Sequence, residues 1–86
     1  MTENKTERLR QVQQELAEAE AAERDRLEKI YGRGNVWNTE ELRRDFDVRA
    51  FLAPYVVVTR RSDGVKGTLQ FQHRPRFYFD FQPSDE

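Results

Sequence analysis

Eighty-six residues carry fifteen Lys and Arg against sixteen Asp and Glu, with one histidine and no cysteine. A chain of that length makes one domain at most and buries a modest share of its surface, so its stability leans on a staple or a partner. Without cysteine the staple is neither a disulfide nor a thiolate-bound metal, and a net charge of −1 removes the global electrostatic signal of a nucleic-acid binder.

From about Thr2 to Tyr31 there is no Gly or Pro, and Glu, Gln, Arg, Ala and Leu dominate; such side chains lose little entropy in a helix. A helix of about thirty residues reaches roughly 45 Å. Leu9, Val12, Leu16, Ala19 and Ile30 fall on the three-four spacing of a coiled-coil seam. The seam breaks at Glu23 and Arg26, where Ala22 and Leu27 carry the apolar stripe instead. Only the last turns, near Leu27, Ile30 and Tyr31, reach a module of about fifty residues. The earlier stripe lacks an intramolecular partner, so Leu9, Val12, Leu16, Ala19, Leu27 and Ile30 are the candidate protein-interaction residues. The expected partner is a second copy, giving a homo-oligomer, or another protein.

Gly32-Arg33-Gly34-Asn35 ends the helix, glycine supplying left-handed geometry. Asn38 then reads as the N-cap of a short helix, with Glu41 completing a capping box and Trp37 as a hydrophobic staple. After Phe46 the apolar period changes to two. Residues 47–52 make a weak strand ending at Ala53-Pro54, in which Val48, Ala50 and Leu52 oppose Asp47, Arg49 and Phe51. Residues 55–60 are a strong β run, apolar on both faces, which places it centrally or under a second layer. Ser62-Asp63-Gly64 is turn chemistry. Two alternating strands follow, separated by His73-Arg74-Pro75, and Leu69, Phe71, Phe77, Phe79 and Phe81 are the expected core face.

The fold class is therefore α+β: a long, coiled-coil-like N-terminal helix over 1–34, and an aromatic-rich module over 35–86. That module holds the short helix and a three- to four-stranded antiparallel sheet. No basic start followed by an apolar run appears, and no stretch approaches membrane-spanning length. A cytoplasmic protein with no membrane contact is expected.

Catalytic chemistry finds little support. His73 has no second histidine, thiol or serine beside it in sequence, and acids alone rarely complete a zinc site. Asp45, Asp47, Asp63 and Asp80 have cap, turn or solvent-face roles, whereas a metal-dependent nuclease needs converging carboxylates. No enzyme activity, cofactor or metal is expected. The second candidate surface is basic and aromatic. Between Tyr55 and Gln82 five Lys or Arg stand against two Asp, and Arg60, Arg61, Lys66, His73, Arg74, Arg76 and Tyr78 form the candidate recognition face. Arginine beside an exposed aromatic can hold phosphates and stack bases. Nucleic acid is thus the alternative partner, although near neutrality weakens the electrostatic attraction such binding depends on.

Four stretches carry a resemblance: Asn38 to Leu42, Phe51 to Pro54, Asp63 to Gly67 and Pro75 to Phe79. Together, over about the last fifty residues, they resemble short proteins of tailed phages and bacterial prophages. The resemblance implies a phage or mobile-element origin, but neither an activity nor any functional residue.

Overall fold

The computed structural model describes residues 5–84. Helix α1 (Lys5–Tyr31) is followed by a two-residue strand β1 (Val36–Trp37) and a short helix α2 (Thr39–Asp45). Four longer strands complete the chain: β2 (Phe46–Leu52), β3 (Tyr55–Arg60), β4 (Lys66–Gln72) and β5 (Phe77–Pro83). They form one antiparallel sheet in the order β1-β5-β4-β3-β2, a meander of hairpins with β1 added outside β5. The α+β class holds, with five strands instead of three or four. The additional strand carries no periodic signal because it is two residues long.

Local chemistry accounts for both helix boundaries. Gly32 (φ 103°) leaves α1 through the left-handed region and its N–H still reaches the Glu28 carbonyl at 2.8 Å. At α2 the Asn38 side chain accepts from the Glu41 N–H at 2.8 Å, and the Glu41 carboxylate accepts from the Asn38 N–H at 2.9 Å. This capping box satisfies two otherwise orphaned donors. Burial opposes ionisation of Glu41, yet the Asn38 N–H and the Arg24 guanidinium hold its carboxyl below the ordinary range.

Two bulges decide which side chains face which way. Opposite β3, Val48 pairs with Val58 but Ala50 pairs with Val57, so Arg49 is an extra residue. Opposite β4, Gln70 pairs with Phe79 but Thr68 pairs with Gln82, so Asp80 and Phe81 together face Leu69. Asp80 takes a φ of 62° there, a region short polar side chains tolerate. Asn35 secures this bulge: its carbonyl accepts from Asp80 N–H and its side-chain oxygen from Phe81 N–H, both at 3.2 Å. The same side chain donates to the Tyr31 carbonyl at 3.1 Å, so the helix end and the bulge share one residue.

The single core face expected for Leu69, Phe71, Phe77, Phe79 and Phe81 is corrected accordingly. Phe77 and Phe79 pack with Leu27, Val36 and Tyr31 on the face under α1. Past the bulge Phe81 turns to the opposite face, joining Leu69, Tyr78, Phe46, Leu42, Val56 and Val58. The β3 run is interior to the sheet, with Val56 and Val58 fully buried. Its second face is less covered than expected, since Val57 is half-buried and Tyr55 exposed. Residues 47–52 do pair, with β3, and β2 forms an edge of the sheet.

Candidate interaction surfaces

Helix α1 touches the sheet only through its last two turns. Leu27 is 2% exposed and Tyr31 stacks on Phe79 with ring centroids 4.8 Å apart. Glu23 reaches across to Gln72, whose amide donates at 2.8 Å, while Arg26 donates to both Glu23 carboxylate oxygens at 2.7 Å. Arg24 binds around the β1 edge: it donates to the Val36 carbonyl at 3.1 Å and pairs with Glu41 at 2.8 Å and Glu28 at 3.3 Å. These contacts anchor residues 23–31. Every residue from Thr6 to Ala22 is exposed, and the molecule is 65 Å long but only 24 by 23 Å across.

The candidate helix residues therefore divide. Leu9, Val12 and Leu16 are 62%, 46% and 56% exposed, and Ala19 and Ile30 are exposed with them. Leu27 is the correction. It belongs to the chain's own core, packed with Val36 and Tyr31 over the β5 face that carries Phe77 and Phe79. An open notch of about 540 Å³ lies where the overhang leaves the body, between Ala17, Glu20, Ala21 and Arg24 on one side and the start of α2 with Phe77 on the other.

The bonds that Glu23 accepts from Arg26 and Gln72 set a pH expectation. Hydrogen bonding from Arg26 first, and from Gln72 second, lowers the Glu23 carboxyl from 4.5 to about 2. A depressed folded-state value means the helix–sheet tie contributes fully above about 4.5 and is lost only as pH falls through about 2. A carbon-detected titration of Glu23 should show that midpoint, and Arg26→Ala should return it toward the ordinary carboxylate value. An ordinary midpoint in the unsubstituted chain would contradict the bonded geometry.

The expected basic-aromatic face is not one surface. Arg60, Arg61 and Lys66 lie at the β3–β4 end of the sheet, and His73, Arg74 and Arg76 at the β4–β5 end. The seven residues of β4 set the two groups about 20 Å apart. At the first end the cations already have local work. Arg60 forms a two-point pair with Asp63 at 2.7 and 3.0 Å and lies 4.9 Å over the Phe81 ring. The pairing lowers the Asp63 carboxyl and raises Arg60. Arg61 donates to the carbonyls of Arg43 and Phe46 at 3.1 and 3.2 Å, fastening the end of α2.

At the other end the Arg76 guanidinium sits over Phe71, Tyr78 and Phe51 at 5.0, 5.5 and 5.8 Å from the ring centroids. It donates to the Tyr78 hydroxyl at 3.0 Å and lies 3.3 Å from the His73 ring nitrogen. Phe71 meets both Phe51 and His73 edge-on at 5.5 Å. Tyr78 is 3% exposed: it is a core residue with a polar tip, and the accessible aromatic is Phe51, at 51%. Period-two reading missed Phe51 because the Arg49 bulge turns it onto the Phe71 face.

The acids do not converge. Asp45 accepts from Arg44 and from the Trp37 indole at 3.0 and 3.1 Å, and Asp80 accepts from Gln70 and Gln82 at 3.0 and 2.9 Å. Among the described residues no group of three His, Asp or Glu is placed to hold a metal ion, and no helix is long and apolar enough to cross a membrane. Comparison with family models, curated proteins and solved structures finds no match.

Proposed function

We propose that the chain is a non-enzymatic interaction protein of cytoplasmic, phage or mobile-element origin. The α1 overhang docks on another chain, and the body of the protein carries the Phe51–Phe71–Arg76 end as its recognition surface. One observation supports this above the others: three large exposed apolar residues, Leu9, Val12 and Leu16, lie on a helix that first meets its own sheet at Glu23, four residues beyond Ala19. An isolated amphipathic helix of this length is marginal in water, and burial of its stripe is what stabilises it.

The test uses the whole chain carrying Leu9→Gln, Val12→Gln and Leu16→Gln, substitutions that keep helix propensity and remove apolar area. Truncation at Asn35 would be a poor substitute, because it strips Leu27 and Tyr31 from Phe77 and Phe79. The expected result is unchanged thermal unfolding of the body with loss of self-association or of partner capture from host extract. A variant that sediments and captures partners as the original does would contradict the reading.

A second reading is a nucleic-acid contact at the aromatic–arginine end, favoured by an arginine stacked beside the exposed Phe51 ring. It predicts salt-sensitive retention of single-stranded probes that Phe51→Ala and Arg76→Ala abolish. No retention at low salt would remove it.

A further inference from the structure

We propose that the cavity between the end of α2 and the β3–β4 turn binds a small anion that carries a planar aromatic ring. The cavity holds about 390 Å³. Trp37 and Phe46 line one part of it and Arg44, Arg60 and Arg61 another, with Asp45 as the one acid. Small-molecule sites commonly measure about 300–1,000 Å³ and combine an apolar lining with a few converging polar groups. This cavity shares no residue with the α1 overhang or with the Phe51–Phe71–Arg76 end, so it stands apart from both.

Trp37 accounts for the ring. It is half-buried and meets Phe46 edge-on at 5.1 Å. Its indole N–H donates to Asp45 at 3.1 Å, which fixes the ring from a second side. A held ring that stays partly accessible offers a stacking face with little further loss of freedom on binding. Arg61 accounts for the charge. Arg44 pairs with Asp45 at 3.0 Å, and Arg60 pairs with Asp63 at 2.7 Å. Arg61 instead gives its Nε–H to the carbonyls of Arg43 and Phe46, and no carboxylate pairs with it among the described residues. Its stem is therefore fastened while its terminal nitrogens keep their donors. A guanidinium placed in this way suits the oxygens of a phosphate or carboxylate, which it binds through two parallel bonds. A neutral ring would leave Arg61 without a partner, and a bare anion would leave Trp37 uncovered.

Trp37 is the only tryptophan, so its indole N–H resonance reads this cavity in the whole chain. Phenyl phosphate and adenosine monophosphate are the probes, and inorganic phosphate and adenosine present the anion and a ring separately. An aromatic phosphate should shift the resonance saturably, and inorganic phosphate or adenosine alone should bind at least about tenfold more weakly. The two probes also separate the sources of this chemistry: tighter binding of adenosine monophosphate marks a nucleotide, and tighter binding of phenyl phosphate a simple aryl anion. Arg61→Gln should lower affinity by about tenfold or more. Because Arg61 also fastens α2, Ser62→Asp is the second variant. Ser62 lines the cavity from an exposed turn position. A carboxylate there should lower affinity about three- to tenfold and leave the thermal midpoint unchanged. Unaltered affinity in both variants would place the anion elsewhere and overturn the proposal. So would inorganic phosphate binding as tightly as the aromatic probes, or no saturable shift with either probe up to about 10 mM.

Discussion

Phe46→Ala should lower the unfolding free energy by about 3–5 kcal/mol, the cost of deleting a fully buried aromatic ring. Phe46 is 1% exposed and stands where α2 becomes β2. Its N–H closes the last turn of α2 on the Leu42 carbonyl, while its ring meets Trp37 edge-on at 5.1 Å and Phe81 at 5.3 Å. The ring thus joins α2, the β1 edge and the residue beyond the β5 bulge in one cluster, and little can move in to fill its space. Domains of this size hold roughly 5–15 kcal/mol in total, so the variant should be close to unfolding at body temperature. Urea titration measures the effect. Phe51→Ala serves as control, since a half-exposed ring leaves no sealed cavity and should cost well under half as much. Equal losses from the two would show that the core does not centre on Phe46.

Gly67→Ala should destabilise by roughly 1–3 kcal/mol, the usual cost of forcing an added group into a packed site. At most strand positions the same change is favourable by about 0.5–1 kcal/mol, because alanine loses less chain entropy. The sign is therefore diagnostic. A Cβ on Gly67 would stand 2.5 Å from the Gln82 carbonyl oxygen and 2.7 Å from the Phe81 ring. Neither neighbour yields readily, for Gln82 lies in paired backbone and Phe81 packs on Phe46 and under the Arg60 guanidinium. For a domain of this size the thermal midpoint should fall by about 4–8 °C for each kcal/mol lost. An unchanged or raised midpoint would mean that the bulge does not bring Phe81 across β4.

These two sites mark the boundary of what the amino-acid pattern reveals. A change of apolar period at Phe46 shows where helix gives way to strand, and the capping residues Asn38 and Glu41 announce α2 by chemistry that needs no tertiary contact. Burial of Phe77 and Phe79 follows from their alternation. Their separation from Phe81 does not, because one residue inserted into a strand reverses every side chain beyond it. The Asp80–Phe81 bulge depends on Asn35, forty-five residues earlier than Asp80, offering its backbone and side-chain oxygens. The Arg49 bulge likewise turns Phe51 toward Phe71, which no local pattern records.

The candidate surfaces show the same division. A stripe of Leu9, Val12 and Leu16 without a covering element is legible from length alone, since the helix outreaches the body. Leu27 has the same chemistry and nearly the same direction, and only the position of β5 makes it core. The basic residues fail as a single face for a related reason: alternation says which side of a sheet a residue faces, not which end of the strand it occupies. Arg60 and Arg76 are both basic and both beside aromatic rings, yet they belong to opposite ends of β4 and β5.

Amide hydrogen exchange along α1 tests the central claim most directly. Overhang amides should be protected from exchange at high protein concentration and lose that protection on dilution or in the Leu9→Gln, Val12→Gln, Leu16→Gln variant. Amides of residues 23–31, fixed by Leu27, Tyr31 and Arg24, should stay protected throughout. Overhang protection that is the same at every concentration and in both chains would contradict a helix whose exposed stripe is covered by association.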